Sequence, residues 1–341
     1  MSIFPYEVNR RTALKLLGSV AGGLALEGSG WARTPPPPAT KPWRGLFPIA
    51  SSPFTPDNKL DYDCLSAEVN FCNRGRVPGL IWPQIASGWS TLSSAERFSG
   101  AESMIAAGKG GATAIVIGVQ TQGNDLAGAV AYAKHAAKAG ADAICSLPPE
   151  GGNGAMLEYY KAIGAATDLP LFVQTIGDMP VDLIAQMFRE IPTMRVVKDE
   201  AGDPLKRVTD IRAKTDGKLA VFAGKGVRLM MDEMRLGFTG FCPVVGMADV
   251  FQQAWELYEA GKKREAFDMF GRIQAFSTIT NADRYVMVAR GIFKETTKSR
   301  PMPGMGDGSG GPGGPPTPLD EAGKKNVRDA LETYLKPYLR A

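Results

Sequence analysis

The chain has 341 residues, of which 44% are hydrophobic and 22% are charged, a composition typical of globular proteins. Its 39 basic and 35 acidic residues leave a net charge of +4, and this balance does not indicate binding to nucleic acid or to an anionic membrane. The four cysteines have no C-x-x-C spacing and there is one histidine, which disfavours a metal site built from these residues. We therefore expect the cysteines to be buried free thiols.

The first residues have the pattern of an export signal. Arg10 and Arg11 precede a short, glycine-rich apolar stretch that ends at small residues close to Ala32. The order Asn-Arg-Arg-Thr-Ala-Leu-Lys over residues 9–15 resembles a twin-arginine signal, which directs folded proteins out of the cytoplasm. We expect a signal peptide over residues 1–32, a periplasmic or secreted mature protein and no stable membrane insertion. The alternative is an uncleaved amphipathic anchor.

From Trp43 onward, short apolar runs alternate with amphipathic segments. The strand candidates, in chain order, are GLFPIASS, PGLIWPQ, TAIVIGVQ, ADAICSLP, LPLFVQT, MRVVKD, LAVFAG and FTGFCPVV. Most are near-continuous apolar runs, as expected for parallel strands that are buried on both faces. Most of the segments between them begin at Ser, Asn or Asp and several end at Gly, which is typical of helices. Eight such β/α units in about 215 residues predict an α/β fold, a (β/α)8 TIM barrel, rather than an open doubly wound sheet.

More helical segments follow the barrel, and we expect them to pack on it or on a neighbouring subunit. Between the last two helices lies a flexible Gly/Pro-rich linker. The predicted organisation is a signal peptide over residues 1–32, a Pro-rich linker over 33–42, the barrel over 43–276 and C-terminal helices over 277–341 with the Gly/Pro-rich linker at 301–318.

The stretch MRVVKDEAGDP places Lys198 at the end of the sixth predicted strand, directly before an acidic turn. In a (β/α)8 barrel, catalytic groups project from the C-terminal ends of the strands. A lysine whose stem lies among apolar side chains can lose its proton near neutral pH and attack a carbonyl group to form a Schiff base. The alternative is a structural ion pair with Asp199, Glu200 or Asp203.

The order of motifs along the barrel resembles the dihydrodipicolinate synthase / N-acetylneuraminate lyase family of class I (Schiff-base) aldolases. The resemblance extends from about Gly45 to Ile273 and is carried by GLFPIASSPFTPDNKLDYDCL, VPGLIWPQIASGWSTLSSAER, DLPLFVQTIGDMP, MRVVKDEAGD and GFTGFCPVVGMADVF. It implies that Lys198 is the imine-forming lysine and that the substrate is a 2-oxo acid, such as a pyruvate derivative. It also implies a homo-oligomer, and no metal or organic cofactor.

The loop that holds the substrate in this family differs here. The family typically has Gly-Thr-Thr-Gly-Glu, whereas residues 84–88 read Gln-Ile-Ala-Ser-Gly. Both threonines are absent, so Ala86, through its backbone, and Ser87, through its hydroxyl group, are the candidate substrate contacts of this loop. Cys242, in the motif of the eighth strand, is the third candidate.

The groups that move protons in this family also differ. The family's fifth strand usually carries a tyrosine in a Tyr-Asn-x-Pro sequence, and here Gln174 begins Gln-Thr-Ile-Gly. A glutamine can orient a substrate, but it has no pKa suited to acid–base work. The usual Pro-Tyr-Tyr of the fourth strand becomes Pro-Pro-Glu, which makes Glu150 a candidate replacement base. The alternative for Glu150 is a solvated loop carboxylate.

Two functions are consistent with these patterns. The first is a Schiff-base lyase or aldolase, or a dehydratase, in which Lys198 forms an imine with a 2-oxo acid while Gln174, Ser87 and Glu150 orient the substrate or move protons. The second is a catalytically altered member of the family that binds a small molecule without turnover or serves as an exported scaffold. The missing tyrosine and threonines motivate the second function, and the position of Lys198 favours the first.

Overall fold

The computed structural model describes residues 41–279, 282–301 and 319–341. The predicted signal peptide, nearly all of the Pro-rich linker and all but the first residue of the Gly/Pro-rich linker lie outside these described residues. The described residues belong to one compact unit, Lys41–Ala341. Within the three described ranges, no helix combines the length and the apolarity needed to cross a bilayer.

Eight parallel strands form the barrel, which confirms the fold predicted from the alternation of apolar and amphipathic segments. The strands are β1 (Gly45–Leu46), β2 (Gly79–Trp82), β3 (Ala114–Gly118), β4 (Ala143–Ser146), β5 (Leu171–Gln174), β6 (Met194–Asp199), β7 (Ala220–Ala223) and β8 (Gly240–Phe241). Consecutive strands from β2 to β8 are neighbours, and β8 pairs with β1. Ile49, in the segment after β1, forms a parallel bridge with Ile81 of β2, and this bridge closes the barrel.

A helix follows each strand, and the described part of the chain after the barrel contains three more. The helices are α1 (Tyr62–Arg74), α2 (Ser94–Gly108), α3 (Leu126–Ala139), α4 (Asn153–Ala165), α5 (Val181–Glu190), α6 (Pro204–Lys214), α7 (Met230–Leu236), α8 (Ala248–Glu259), α9 (Lys263–Phe276), α10 (Ala282–Ala289) and α11 (Glu321–Ala330). The apolar pattern runs on between α8 and α9, but the chain turns there at Gly261, whose φ of +77° is left-handed.

Polar residues that precede several of the helices cap them through their side chains. Ser93 and Glu96 form a capping box at the start of α2, in which each side chain bonds the backbone N–H of the other residue. Asp203 accepts a hydrogen bond from Leu205 N (3.1 Å) at the start of α6, where Pro204 occupies the first helical position. These caps fix where each helix leaves the end of its strand.

Aromatic side chains fill part of the barrel interior. The rings of Phe47, Phe172 and Phe222 lie 5.1 to 5.9 Å apart between centroids, and all three are fully buried. Two inward-facing glycines make room for them. A Cβ atom at Gly79 would lie 2.0 Å from the ring of Phe47, and one at Gly240 would lie 2.3 Å from the ring of Phe222. We call these three rings the aromatic layer.

The helices after the barrel belong to the same hydrophobic core. Val327 and Leu335 are fully buried in the main cluster, together with side chains of α8 and α9. A buried ion pair joins Arg290, just after α10, to Asp249 of α8, with atoms 2.7 Å apart. The carboxylate of Asp249 also accepts a hydrogen bond from the backbone N–H of Arg340 (2.8 Å). The C-terminal segment therefore packs on the barrel of its own chain, one of the two arrangements that the sequence predicts.

Candidate functional site

Lys198 lies at the C-terminal end of β6 with its side chain inside the barrel, as predicted from its position in the sequence. Val196, two residues earlier, belongs to the cluster that fills the barrel interior, and alternate residues of a strand share one face. In register, Lys198 lies beside Gln174 on β5 and Phe222 on β7. Lys198 is 5% exposed, so a cation sits almost wholly within the barrel, next to a ring of the aromatic layer.

Glu200 is the carboxylate that meets Lys198. Its Oε2 atom lies 3.1 Å from Nζ of Lys198 and accepts a second hydrogen bond from the amide group of Gln174. Its Oε1 atom accepts a hydrogen bond from the backbone N–H of Lys225 (2.9 Å). A Cβ atom on Gly224 would lie 1.7 Å from that oxygen. Glu200 thus reaches into the end of the barrel through space that Gly224, directly after β7, leaves open.

The two charges of this pair stabilise each other. Burial alone would lower the pKa of Lys198, but the charge of Glu200 and their hydrogen bond outweigh it, and the pKa lies above its usual value. Burial alone would raise the pKa of Glu200, but Lys198, the N–H of Lys225 and the Gln174 amide hold that pKa below its usual value. Both shifts favour the charged forms of the pair, which is the opposite direction from the lowered lysine pKa expected from the sequence.

The other two acidic residues of the turn have partners elsewhere. Asp199 faces away from the barrel interior and binds Arg207 of α6 through two hydrogen bonds of 2.9 Å. The hydroxyl group of Thr175 donates to Asp199 (2.7 Å) and accepts from the backbone N–H groups of Glu200 (2.9 Å) and Ala201 (3.0 Å). Asp203 caps α6. Of the three partners considered for Lys198, Glu200 alone contacts it within the described residues.

The hydroxyl group of Ser87 is engaged within the protein. It donates to the backbone carbonyl of Ala50 and accepts from the backbone N–H of Gln84 (2.9 Å), so it shapes the loop that follows β2. Ala86 packs against the cluster in the barrel interior. The structure therefore brings Ala86 to the barrel interior and leaves Ser87 with a structural part. A substrate contact through that hydroxyl requires one of its two hydrogen bonds to break.

Two buried thiol groups lie near Lys198. Cys145 lies within β4 and Cys242 directly follows β8. Both belong to the cluster in the barrel interior. All four cysteines are buried and free, as expected. Burial raises the pKa of Cys145 and of Cys242 to about 12, although the charge of Lys198 acts in the opposite direction on both. These thiols are protonated at neutral pH, so Cys242 can line a substrate pocket but is not a nucleophile.

Glu150 is exposed in the loop after β4, and its backbone N–H and carbonyl groups bond the side chain of Asn124 at 2.7 and 2.9 Å. No described contact links its carboxylate to Lys198 or Gln174. The sequence pattern indicates Glu200 only as a structural partner of Lys198, and its contact with Nζ of Lys198 and with Gln174 emerges from the structure. The available signal was the Lys-x-Glu spacing, because side chains two residues apart on an extended chain share a face.

Comparisons with known proteins place the chain in a family. The model of the dihydrodipicolinate synthetase family matches residues 42–294. The 4-hydroxy-tetrahydrodipicolinate synthase of Methanosarcina mazei is 25% identical over 191 residues, which are 54% of this chain and 64% of that protein. The chain thus spans less than two thirds of the length of the first curated relatives that it matches.

Solved structures with the same fold include two enzymes. Dihydrodipicolinate synthase from Rhodopseudomonas palustris superposes with a TM-score of 0.69 at 21% identity, over 85% of this chain and 97% of that one. N-acetylneuraminate lyase from Mycoplasma synoviae superposes with a TM-score of 0.70 at 19% identity, over 86% and 98%. At such identities the likeness shows the barrel fold alone. Because the family model covers well over half of the residues, the chain belongs to the dihydrodipicolinate synthetase family.

Proposed function

We propose that the protein is a class I aldolase or lyase that binds a 2-oxo acid as an imine on Lys198. The observation that carries the proposal is the position of this lysine: it ends a barrel strand, faces the interior and is 5% exposed. Active sites of (β/α)8 barrels lie at this end of the strands. Family membership and the names of the relatives support the same class of reaction.

The chemistry requires an uncharged Lys198. The ammonium group of Lys198 first releases one proton to solvent, and the Nζ lone pair then attacks C2 of the 2-oxo acid. The carbonyl oxygen leaves as water with one proton from nitrogen and one from solvent, and a protonated imine remains. That cation accepts the electron pair released when the bond between C3 and C4 breaks, while the C4 hydroxyl group loses its proton and C4 leaves as an aldehyde, as in an aldolase. The same intermediate permits the loss of water from C3 and C4, as in a dehydratase. We assign the substrate's carboxylate to the backbone of the loop at residues 84–88.

Trapping with borohydride tests the imine. Incubation of the protein with pyruvate and borohydride is expected to add the mass of the reduced adduct to the peptide that contains Lys198, measured by mass spectrometry of a digest. Lys198→Arg is the matched control, because it keeps a cation beside Glu200 but cannot form the imine. Absence of an adduct with pyruvate and other 2-oxo acids, or an equal adduct in the control, contradicts the proposal.

One observation favours the second function, a binding protein without turnover: Lys198 is neutralised by Glu200 in the free site. This function predicts that a 2-oxo acid raises the unfolding temperature of Lys198→Ala as much as that of the wild type, with no adduct in either protein. Binding that disappears with Lys198, together with trapping in the wild type, favours the enzyme.

We also propose that the chain is exported by a twin-arginine pathway, on the basis of Arg10 and Arg11 and the apolar stretch after them. The double substitution Arg10→Lys and Arg11→Lys is expected to retain the protein in the cytoplasm, as measured by cell fractionation. Unchanged export of the double variant contradicts the proposal.

A further inference from the structure

Glu200 is held beside the atom that forms the proposed imine. Its Oε2 atom lies 3.1 Å from Nζ of Lys198, while the backbone N–H of Lys225 fixes its Oε1 atom at 2.9 Å. The carboxylate is 17% exposed, so it lies at the open end of the barrel interior rather than deep in the core. In a 2-oxo acid bound as an imine, C3 is two bonds away from Nζ. A carboxylate that contacts Nζ therefore lies within reach of the hydrogens on C3.

The other polar groups around Lys198 do not suit proton transfer at C3. Gln174 has no titratable group, and the hydroxyl group of Ser87 is bonded to the backbone on both sides. Cys145 and Cys242 keep their protons at neutral pH, because burial raises the pKa of each to about 12. Among these described neighbours, the carboxylate of Glu200 is the group that can both accept and return a proton.

We propose that Glu200 is the acid–base residue of this site, which removes a proton from C3 of the bound imine and returns it. The proposal rests on the imine at Lys198 proposed above. In the forward step the C3–H bond breaks and a bond from hydrogen to Glu200 forms. The electron pair of C3–H becomes the C2–C3 double bond, and the π pair of the imine moves to nitrogen as a lone pair. The product is a neutral enamine beside a neutral carboxylic acid.

The charges in the site change in step with this transfer. While nitrogen carries a positive charge, Glu200 remains an anion, because Lys198 is the main group that opposes the effect of burial on its pKa. When C3 loses its proton, the nitrogen becomes neutral, and burial then raises the pKa of Glu200. Glu200 therefore holds the proton while the enamine exists and releases it when the imine re-forms.

Gln174 matches both protonation states of Glu200. Its amide nitrogen donates to the carboxylate, and its amide oxygen is buried without a hydrogen-bond partner among the described residues. Rotation of the amide by half a turn presents that oxygen to a protonated Glu200, which then donates to it. A glutamine at this place therefore positions the carboxylate both before and after it takes up the proton.

The test follows exchange at C3 in deuterated water separately from trapping of the imine. Wild type with pyruvate is expected to replace the methyl hydrogens by deuterium, measured by proton NMR. Glu200→Gln is expected to retain the borohydride adduct on Lys198 and to slow exchange by about 100-fold or more, chiefly through kcat. Added formate is expected to restore part of the exchange in Glu200→Ala, which leaves space for a small carboxylate. Glu158→Gln, an exposed glutamate on α4, is the matched control and is expected to exchange as the wild type does.

The outcomes separate this proposal from the proposed function. Trapping in the wild type with equal exchange in Glu200→Gln overturns the role of Glu200 and leaves the imine in place. Loss of both trapping and exchange in a folded Glu200→Gln also overturns it, in favour of a role in positioning Lys198. Should Glu200→Gln not fold, Glu200→Asp keeps the charge but withdraws the carboxylate by one methylene, and unchanged exchange in that variant overturns the proposal. Absence of any adduct in the wild type overturns the proposed function and this proposal together.

Discussion

At the scale of single residues, the site is built around two opposite charges that are removed from water. Placing Lys198 and Glu200 inside a barrel costs desolvation energy, and their attraction offsets this cost only because further hydrogen bonds satisfy the carboxylate. Well-packed apolar residues would serve stability at least as well. A pair in this position is therefore better explained by chemistry than by stability.

The directions of the two pKa shifts predict the pH profile of exchange. The pKa of Glu200 lies below its usual value and that of Lys198 above it, so the ion pair persists across the neutral range. We expect kcat/KM for deuterium exchange into pyruvate to rise with pH through the neutral range, because the uncharged form of Lys198, which attacks the carbonyl group, becomes more abundant up to its raised pKa. A plateau that begins near neutral pH would indicate a lysine with a lowered pKa, and that profile would contradict the assignment.

Gly224 tests the geometry of Glu200 without changing either charge. An added methyl group would lie 1.7 Å from Oε1 of Glu200, so the carboxylate must move away from Lys198. We expect Gly224→Ala to slow exchange by about 10-fold or more, since a small misplacement of a catalytic group is costly. Gly154→Ala on α4 is the matched control, because no atom lies within 4 Å of its added Cβ. Similar exchange rates in the two variants would show that the position of Glu200 is not critical.

At the scale of elements, the end of β6 is fixed from outside the barrel. The buried carboxylate of Asp199 accepts hydrogen bonds from Arg207 of α6 and from the hydroxyl group of Thr175. That hydroxyl group in turn accepts a hydrogen bond from the backbone N–H of Glu200. The inner face of the turn carries the Lys198–Glu200 pair and the outer face carries this clamp. A change at Arg207 therefore reaches the site through the backbone of the turn.

Comparison with the buried ion pair between Arg290 and Asp249 tests the connection between Arg207 and the site. Arg207→Met leaves Asp199 buried without its charged partner and is expected to cost about 3–5 kcal/mol of unfolding free energy, measured with urea. Arg290→Met does the same to Asp249, far along the chain. We expect both variants to lose stability, but Arg207→Met alone to slow exchange under conditions where both are folded. Equal exchange in the two variants would contradict the connection.

The sequence predicts the elements well and the contacts less well. The eight strands follow from apolar runs at regular intervals, and Lys198 is found at the end of β6 as predicted. Because successive side chains of a strand point to opposite faces, the position of a residue in its strand also determines whether its side chain enters the barrel. This position does not determine which acidic residue of a turn bends inward: Glu200 does so because Gly224, which follows β7, leaves space. Such a long-range fit has no local signature.

At the scale of the whole molecule, the C-terminal segment contributes buried side chains to the main hydrophobic core. Two polar contacts link it to α8. Arg340 forms an ion pair with Glu256, and the side chain of Gln253 donates a hydrogen bond to the carbonyl group of Tyr338. The sequence predicts these helices, but it leaves open whether their apolar faces meet their own barrel or another subunit. Amphipathic patterning shows that a face is buried and not what covers it.

Leu335 tests how much the C-terminal segment stabilises the barrel. It is fully buried in the core cluster, so Leu335→Ala removes apolar contacts and leaves a cavity, at an expected cost of about 2–5 kcal/mol. Its neighbour Tyr334 is 54% exposed, and Tyr334→Ala is expected to change stability by about 0.5 kcal/mol or less. Urea unfolding followed by circular dichroism measures the unfolding free energy of both variants. If the segment and the barrel form one cooperative unit, Leu335→Ala shifts a single transition to lower urea with an unchanged slope. A separate early transition would show instead that the segment unfolds independently of the barrel, and equal midpoints for the two variants would show that its packing adds little.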